Sequence, residues 1–321
     1  MSKLEIIATI NTHKITRAFL RQLVENGATI MRMNGAHVRP PDIPKAVGLI
    51  REHCGRDAKI LVDLPGNKIR TSGLLQNVAL KNGETFELES RNFSYPGFID
   101  YLKAGDAVTS SDGQLSMAVE KVHADRVSFT ALCDGELLNN KGLHLPAKSL
   151  AHLPFLFDRD REILKHALPC DIDYAGFSFI RTPENVDEAH SVLAGSAMTP
   201  IIKLETKEGT EPAALDAILK RASTFLIDRG DLASEVGMTR FPMTFNRTLA
   251  KALASGGKVF VATQLFASMY EHNLPHLSEV MEFHRLARTG IVGIQLSEEI
   301  AIGKHPLEVL KIIAALSGEA A

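Results

Sequence analysis

Short apolar runs alternate with helical stretches along most of this chain, and that rhythm restricts its fold more than any other feature. The runs at 4–10, 29–34 and 59–64 are rich in Ile, Leu, Val and Met. Between them, 15–25 and 43–53 carry apolar residues at helical spacing, the first closed by Asn26-Gly27. The same alternation returns with helices at 159–168, 184–193, 211–221, 240–254, 277–288 and 306–316, separated by strands at 174–179, 201–202, 225–227, 259–264 and 291–297. Eight strands, each paired with a helix, predict an α/β fold, a (β/α)8 TIM barrel with its strands inside and its helices outside.

From 72 to 152 the rhythm changes to short alternating segments such as 85–89, 107–109, 115–119 and 127–132, broken by Asn82-Gly83, Pro96-Gly97 and Asp134-Gly135. This stretch predicts a small all-β domain inserted after the third strand, leaving 1–71 and 153–321 as the barrel.

The bulk properties narrow the partners. With a net charge of −2 and no long Lys/Arg block, neither nucleic acid nor an anionic membrane is expected. The first apolar run is too short for a signal peptide or a membrane span. Three cysteines without pairing or metal-like spacing (Cys54, Cys133, Cys170) suit a reducing compartment, so the expected location is the cytoplasm.

The stretch 200–231 is where chemistry concentrates. Ile201-Ile202 runs into Lys203 and Glu205, and Phe225–Ile227 runs into Asp228, Arg229 and Asp231. Read as strands, the two-residue period puts Lys203 with Glu205 on one face and Arg229 with Asp231 on another. Strand carboxyl ends are where barrels bind ligands. Glu205 and Asp231 are therefore expected to hold a hard divalent cation, Mg2+ or Mn2+, the alternative being a structural ion pair with Lys203 or Arg229. Lys203 should lie beside that cation, where a neighbouring positive charge and desolvation disfavour its ammonium.

Other strand ends add candidates. Arg32 and Asn34 share a face, and a guanidinium there suits phosphoryl or carboxylate oxygens. Asp63 ends the third strand and Arg70 follows it. Thr263 and Ser297 end the seventh and eighth strands, as substrate contacts or as hydroxyls capping βα turns. The amides of Arg229, Gly230 and Asp231 lead towards a helix start, where a carboxylate could bind.

These strand ends also resemble those of the pyruvate kinase family. The carriers are RMN(x)2H at 32–37, D(x)2G(x)2IRT at 63–71, KGLHLP at 141–146, SFIR at 178–181, KLE at 203–205, RGDL at 229–232, ATQLFASM at 262–269 and LSEE(x)3GKHP at 296–306. They occur in that family's order from end to end, and the inserted domain falls where the family carries a mobile lid. The resemblance implies phosphoryl transfer between phosphoenolpyruvate and ADP with Mg2+. It implies catalytic roles for Lys203, Arg32, Thr263, Lys68, Asp63 and Arg70, with Lys203 beside the moving phosphoryl group and the enolate. Substrate contacts fall on Gly230, Asp231, Thr263, Ser297 and Asn34, nucleotide contacts on Arg32, His37 and Lys141, and metal ligands on Glu205 and Asp231.

Departures from the pattern carry information too. Lys68 stands where the family often has Glu beside a monovalent cation, with Ala36 and Leu64 in place of a usual serine and threonine. A fixed ammonium supplies the same charge, so potassium independence is expected. Asn11-Thr12 replaces Gly-Pro, Pro65 replaces a common lysine, and 38–42 lacks the usual adenosine-contacting pattern. Those changes keep open a metal-dependent lyase, decarboxylase or hydrolase acting on a 2-keto acid through an enolate, without nucleotide. The chain ends after the eighth barrel helix, so the family's carboxy-terminal domain is expected to be absent and the protein to be a monomer or homodimer.

Overall fold

The computed structural model describes residues 4–111, 113–146 and 148–319. The chain opens with β1 (Glu5–Ile10), α1 (Arg17–Glu25), β2 (Ile30–Asn34), α2 (Ile43–Cys54) and β3 (Lys59–Leu64). Strands β4 (Val78–Leu80), β5 (Thr85–Glu89), β6 (Ala107–Ser110), β7 (Leu115–Val122), β8 (Arg126–Ala131), β9 (Gly135–Leu137) and β10 (Leu143–His144) come next. Then follow α3 (Asp158–Ala167), β11 (Tyr174–Phe177), α4 (Pro183–Val192), β12 (Thr199–Lys203), α5 (Pro212–Leu219), β13 (Thr224–Asp228), α6 (Arg229–Val236) and α7 (Phe241–Ala254). β14 (Lys258–Ala262), α8 (Leu277–Ala287), β15 (Gly293–Leu296), α9 (Glu298–Ala301) and α10 (Pro306–Glu319) complete the chain.

Strands β1, β2, β3, β11, β12, β13, β14 and β15 close into a parallel barrel, with β1 pairing both β2 (Ile7 opposite Ile30) and β15 (Ile7 opposite Gln295). Alternation along each strand sorts the side chains. Ile6, Ala8 and Ile10 face the helices, in one apolar cluster with Leu20, Leu23 and Ile50. Ile7, Ile30, Leu61, Ile201, Leu226 and Phe260 form a second cluster that plugs the barrel. Each such side chain contributes roughly 1.5–3 kcal/mol on burial. Two residues further along, the same faces carry Thr9, Arg32, Asp63, Lys203 and Asp228, all buried. The period that fills the barrel with hydrocarbon thus also sets a charged ring above it.

The residues between β3 and α3 form an antiparallel sheet in the order β10-β6-β7-β8-β5 and a β4-β9 pair, packed around Val108, Met117 and Phe129. Helix ends follow local chemistry: Thr16 Oγ1 accepts from Phe19 N at 3.2 Å to start α1. No helix among the described residues is long and apolar enough to cross a membrane.

One element differs from the sequence expectation. The strand after Phe225 stops at Asp228, and 229–236 is helix α6, because the Asp228 carboxylate caps the Gly230 and Asp231 amides and turns the chain. Arg229 and Asp231 therefore do not share a strand face.

Candidate active site at the barrel mouth

Lys203, 4% exposed, is the centre of the charged ring. Its Nζ donates to Ser178 Oγ at 3.0 Å and lies 3.2 Å from Glu205 Oε2, 3.7 Å from Asp63 Oδ2 and 3.9 Å from Asp228 Oδ2. Burial alone would lower the lysine pKa, but Asp63, Glu205 and Asp228 overcome it and raise it.

Glu205 is fully buried. One oxygen, Oε1, accepts from Phe179 N at 2.9 Å, whereas Oε2 has no hydrogen-bond donor despite the nearby ammonium. Burial lifts the Glu205 carboxyl to about 8, with Lys203 pulling back and Asp231 and Asp228 pushing further. Acids so placed need a positive charge.

Asp228 and Asp231 reach the same region by different routes. Asp228 Oδ1 accepts from Gly230 N at 3.2 Å, Asp231 N at 3.3 Å and Thr263 Oγ1 at 3.0 Å. Gly230 N also donates to Thr263 Oγ1 at 2.8 Å. The helix-start amides are thus engaged, and a substrate carboxylate would have to displace Asp228. Thr263 combines the capping role with a place on the cavity wall. Asp231, in the first turn of α6, pairs with Lys68. Arg229 turns away instead, pairing with Glu282 at 2.8 Å and donating to the Thr263 carbonyl.

One oxygen each of Glu205, Asp228 and Asp231 lie within 4.8 Å of one another. Three hard carboxylates without a thiolate or imidazole suit Mg2+ or Mn2+, and the donorless Glu205 Oε2 is an open ligand position. Asp228 was not singled out among the sequence candidates for the metal; its place at the end of an apolar strand was the available signal.

Arg32 Nε donates to Asp63 Oδ2 at 2.7 Å and its NH1 donates to Thr9 Oγ1 at 2.8 Å, which fixes the guanidinium at the mouth. Asp63 is buried, but Lys203 and Arg32 hold its pKa below the usual carboxylate value. A Cβ at Gly176 would collide with Asp63 Oδ1, so glycine there makes room for this acid. Lys68 Nζ also sits 5.7 Å from the centroid of the Phe179 ring. Burial lowers the Arg70 pKa, against the pull of Asp231 and Glu205.

Asp63, Asp228, Asp231, Phe179 and Thr263 line one cavity of about 740 Å³ that Arg32, Lys68, Arg70 and Lys203 also reach, whereas the fully buried Glu205 is not part of its wall. Asn34, His37 and Ser297 also line it, Asn34 with its Oδ1 accepting from Ala36 N at 3.1 Å. Asn11, Thr12, Tyr270 and Ile302 are also part of its wall. Lys141 is exposed and lies outside the lining in this arrangement. Phe179, Thr263 and Gln264 on the wall have φ of 57°, 62° and 55°, a strained region for non-glycine residues that sequence does not reveal.

A closed parallel barrel with a buried lysine and clustered acids at its strand ends defines a TIM-barrel protein. Residues 1–310 match the family described as pyruvate kinase, barrel domain, and the chain belongs to the pyruvate kinase family. It is 31% identical to pyruvate kinase 2 of Synechocystis over 98% of this chain and 56% of that protein. It is 28% identical to the pyruvate kinase of Thermoplasma acidophilum, over 98% of this chain and 58% of that protein. For the pyruvate kinase of Thermotoga maritima the identity is 28%, over 100% of this chain and 71% of that protein. The chain thus spans little more than half the length of the first two.

Proposed function

We propose that this barrel transfers a phosphoryl group between phosphoenolpyruvate and ADP. The observation that carries this reading is the cavity lined by Arg32, Lys68, Arg70, Lys203, Asp228 and Asp231, with the fully buried Glu205 in the same carboxylate cluster and 3.2 Å from Lys203. In the forward direction an ADP phosphate oxygen attacks phosphorus, the bond to the enol oxygen breaks, and the enolate takes a proton to become pyruvate.

Each cation then has a task. Arg32, held by Asp63 and Thr9, offers paired donors to phosphoryl oxygens. Lys203, at the centre of the charged ring beside Asp63, Glu205 and Asp228, is placed to stabilise charge on the phosphoryl group and the enolate. Lys68 supplies fixed charge where many relatives need a monovalent cation, which makes potassium dispensable. Glu205 and Asp231, together with Asp228, would hold Mg2+ or Mn2+, which would supply positive charge for the oxygens of the substrate. Thr263 and Ser297 face the keto-acid end, with Asn34 beside Arg32. His37 and Lys141 are assigned to the nucleotide, Lys141 on condition that residues 72–152 close as a lid and exclude water.

A coupled assay with phosphoenolpyruvate, ADP and Mg2+ tests this reading. Turnover that disappears in Lys203→Met supports it, and turnover no higher than that variant rejects it. The nucleotide-free lyase reading has no observation in its favour; keto-acid breakdown without nucleotide, followed by NMR, would revive it.

A further inference from the structure

Helix α6 carries two acids one turn apart, Asp231 and Glu235. The first meets Lys68 on the connector that leaves the barrel for the inserted strands. The second meets the returning connector, its Oε1 lying 3.3 Å from His144 Nδ1 on β10. The two connectors are themselves joined, Leu143 N donating to Ile69 O at 2.8 Å, and a Cβ at Gly142 between them would collide with Lys68.

Arg181 stands behind this contact. Its buried NH1 donates to Glu235 Oε2 at 3.0 Å and to Glu208 Oε2 at 2.7 Å. The other Glu208 oxygen accepts from Leu150 N at 2.7 Å, further along the returning connector. The Arg181 guanidinium also lies 5.7 Å from the centroid of the same Phe179 ring that Lys68 approaches. Neither Arg181 nor Glu235 lines the cavity.

We infer that Glu235, fixed by Arg181, is a positioning residue that seats the returning connector through His144 and thereby holds the Lys68–Asp231 pair at the barrel mouth. Its kinetic consequence rests on the proposed phosphoryl transfer, whereas the seating does not. Severing the contact lets the connectors open more often, which depletes the closed state that binds substrates and excludes water.

The test compares the full-length chain with His144→Leu, Glu235→Gln and His144→Gln, the last keeping an N–H donor. Glu87→Gln on the exposed strand β5 serves as a control. Hydrogen exchange of amides 69–71 and 141–145 should quicken about tenfold in the first two variants, but neither in the control nor, beyond about twofold, in His144→Gln. In the same two variants KM for ADP should rise about tenfold while kcat falls less, with the melting temperature tracked separately. If Glu235→Gln does not fold, His144→Leu carries the test. Unchanged exchange in His144→Leu overturns the seating, whatever the activity. Faster exchange with unchanged KM and kcat overturns the positioning role. A wild type without kinase activity overturns the reaction assignment and leaves the exchange result to judge the seating.

Discussion

Lys68 and Asp231 form an ion pair between the outgoing connector of the inserted strands and the first turn of α6. Burial would raise the Asp231 pKa, but Lys68 and then Lys203 hold it well below the carboxylate range. The pair sets a positively charged side chain at the mouth.

Potassium should consequently be unnecessary. Replacing K+ by tetramethylammonium is expected to leave the rate of the phosphoenolpyruvate–ADP reaction within about twofold. Lys68→Met should lose roughly ten- to a hundredfold, with part of the loss recovered by added K+. A wild-type enzyme that needs K+ would show that Lys68 does not supply this charge.

Gly176 leaves no room for a methyl group beside Asp63 Oδ1. Gly176→Ala should therefore push Asp63 off Arg32 and Lys203, destabilising the barrel by about 1–3 kcal/mol and lowering the melting temperature by roughly 2–8 °C. Activity should fall with the displaced Arg32. Unchanged melting and unchanged kinetics would mean that the acid has slack.

Glu299 gives a pH signature. Burial lifts its carboxyl to about 7 from an ordinary 4.5, with Ser297 N donating to Oε1 at 2.9 Å. A raised carboxyl favours the protonated folded state, so its stabilising contribution is full below pH 4.5 and is lost as pH rises through 7. The span corresponds to about 3 kcal/mol. Thermal melting should fall between pH 5 and pH 8, and Glu299→Gln should flatten that slope. Parallel profiles for the two proteins would remove Glu299 as the cause.

The barrel was legible because apolar runs and helical stretches alternate without ambiguity, and the position of Lys203 and Glu205 followed from an apolar strand ending in charge. Asp231 does lie at the mouth, but it gets there from a helix and not along a strand face, since Asp228 caps the chain at the end of β13. A strand period cannot report where capping ends a strand. The acids around Lys203, from β3, β13 and the residues just after β12, were not legible as a group because they converge on it only in space. Arg181, Glu208 and Glu235 were invisible as a group for the same reason, lying far apart in sequence with no pattern that pairs them.

Glu205, just after β12, and Asp231 of α6 are assigned together to a divalent cation at the barrel mouth. Titration of the purified chain with Mn2+, followed by paramagnetic relaxation of water protons, tests this assignment most directly. Binding of one ion per chain, weakened at least tenfold by Glu205→Gln and by Asp231→Asn in proteins that still melt cooperatively, is the predicted result. Equal binding by wild type and both variants, or none by the wild type, would contradict it.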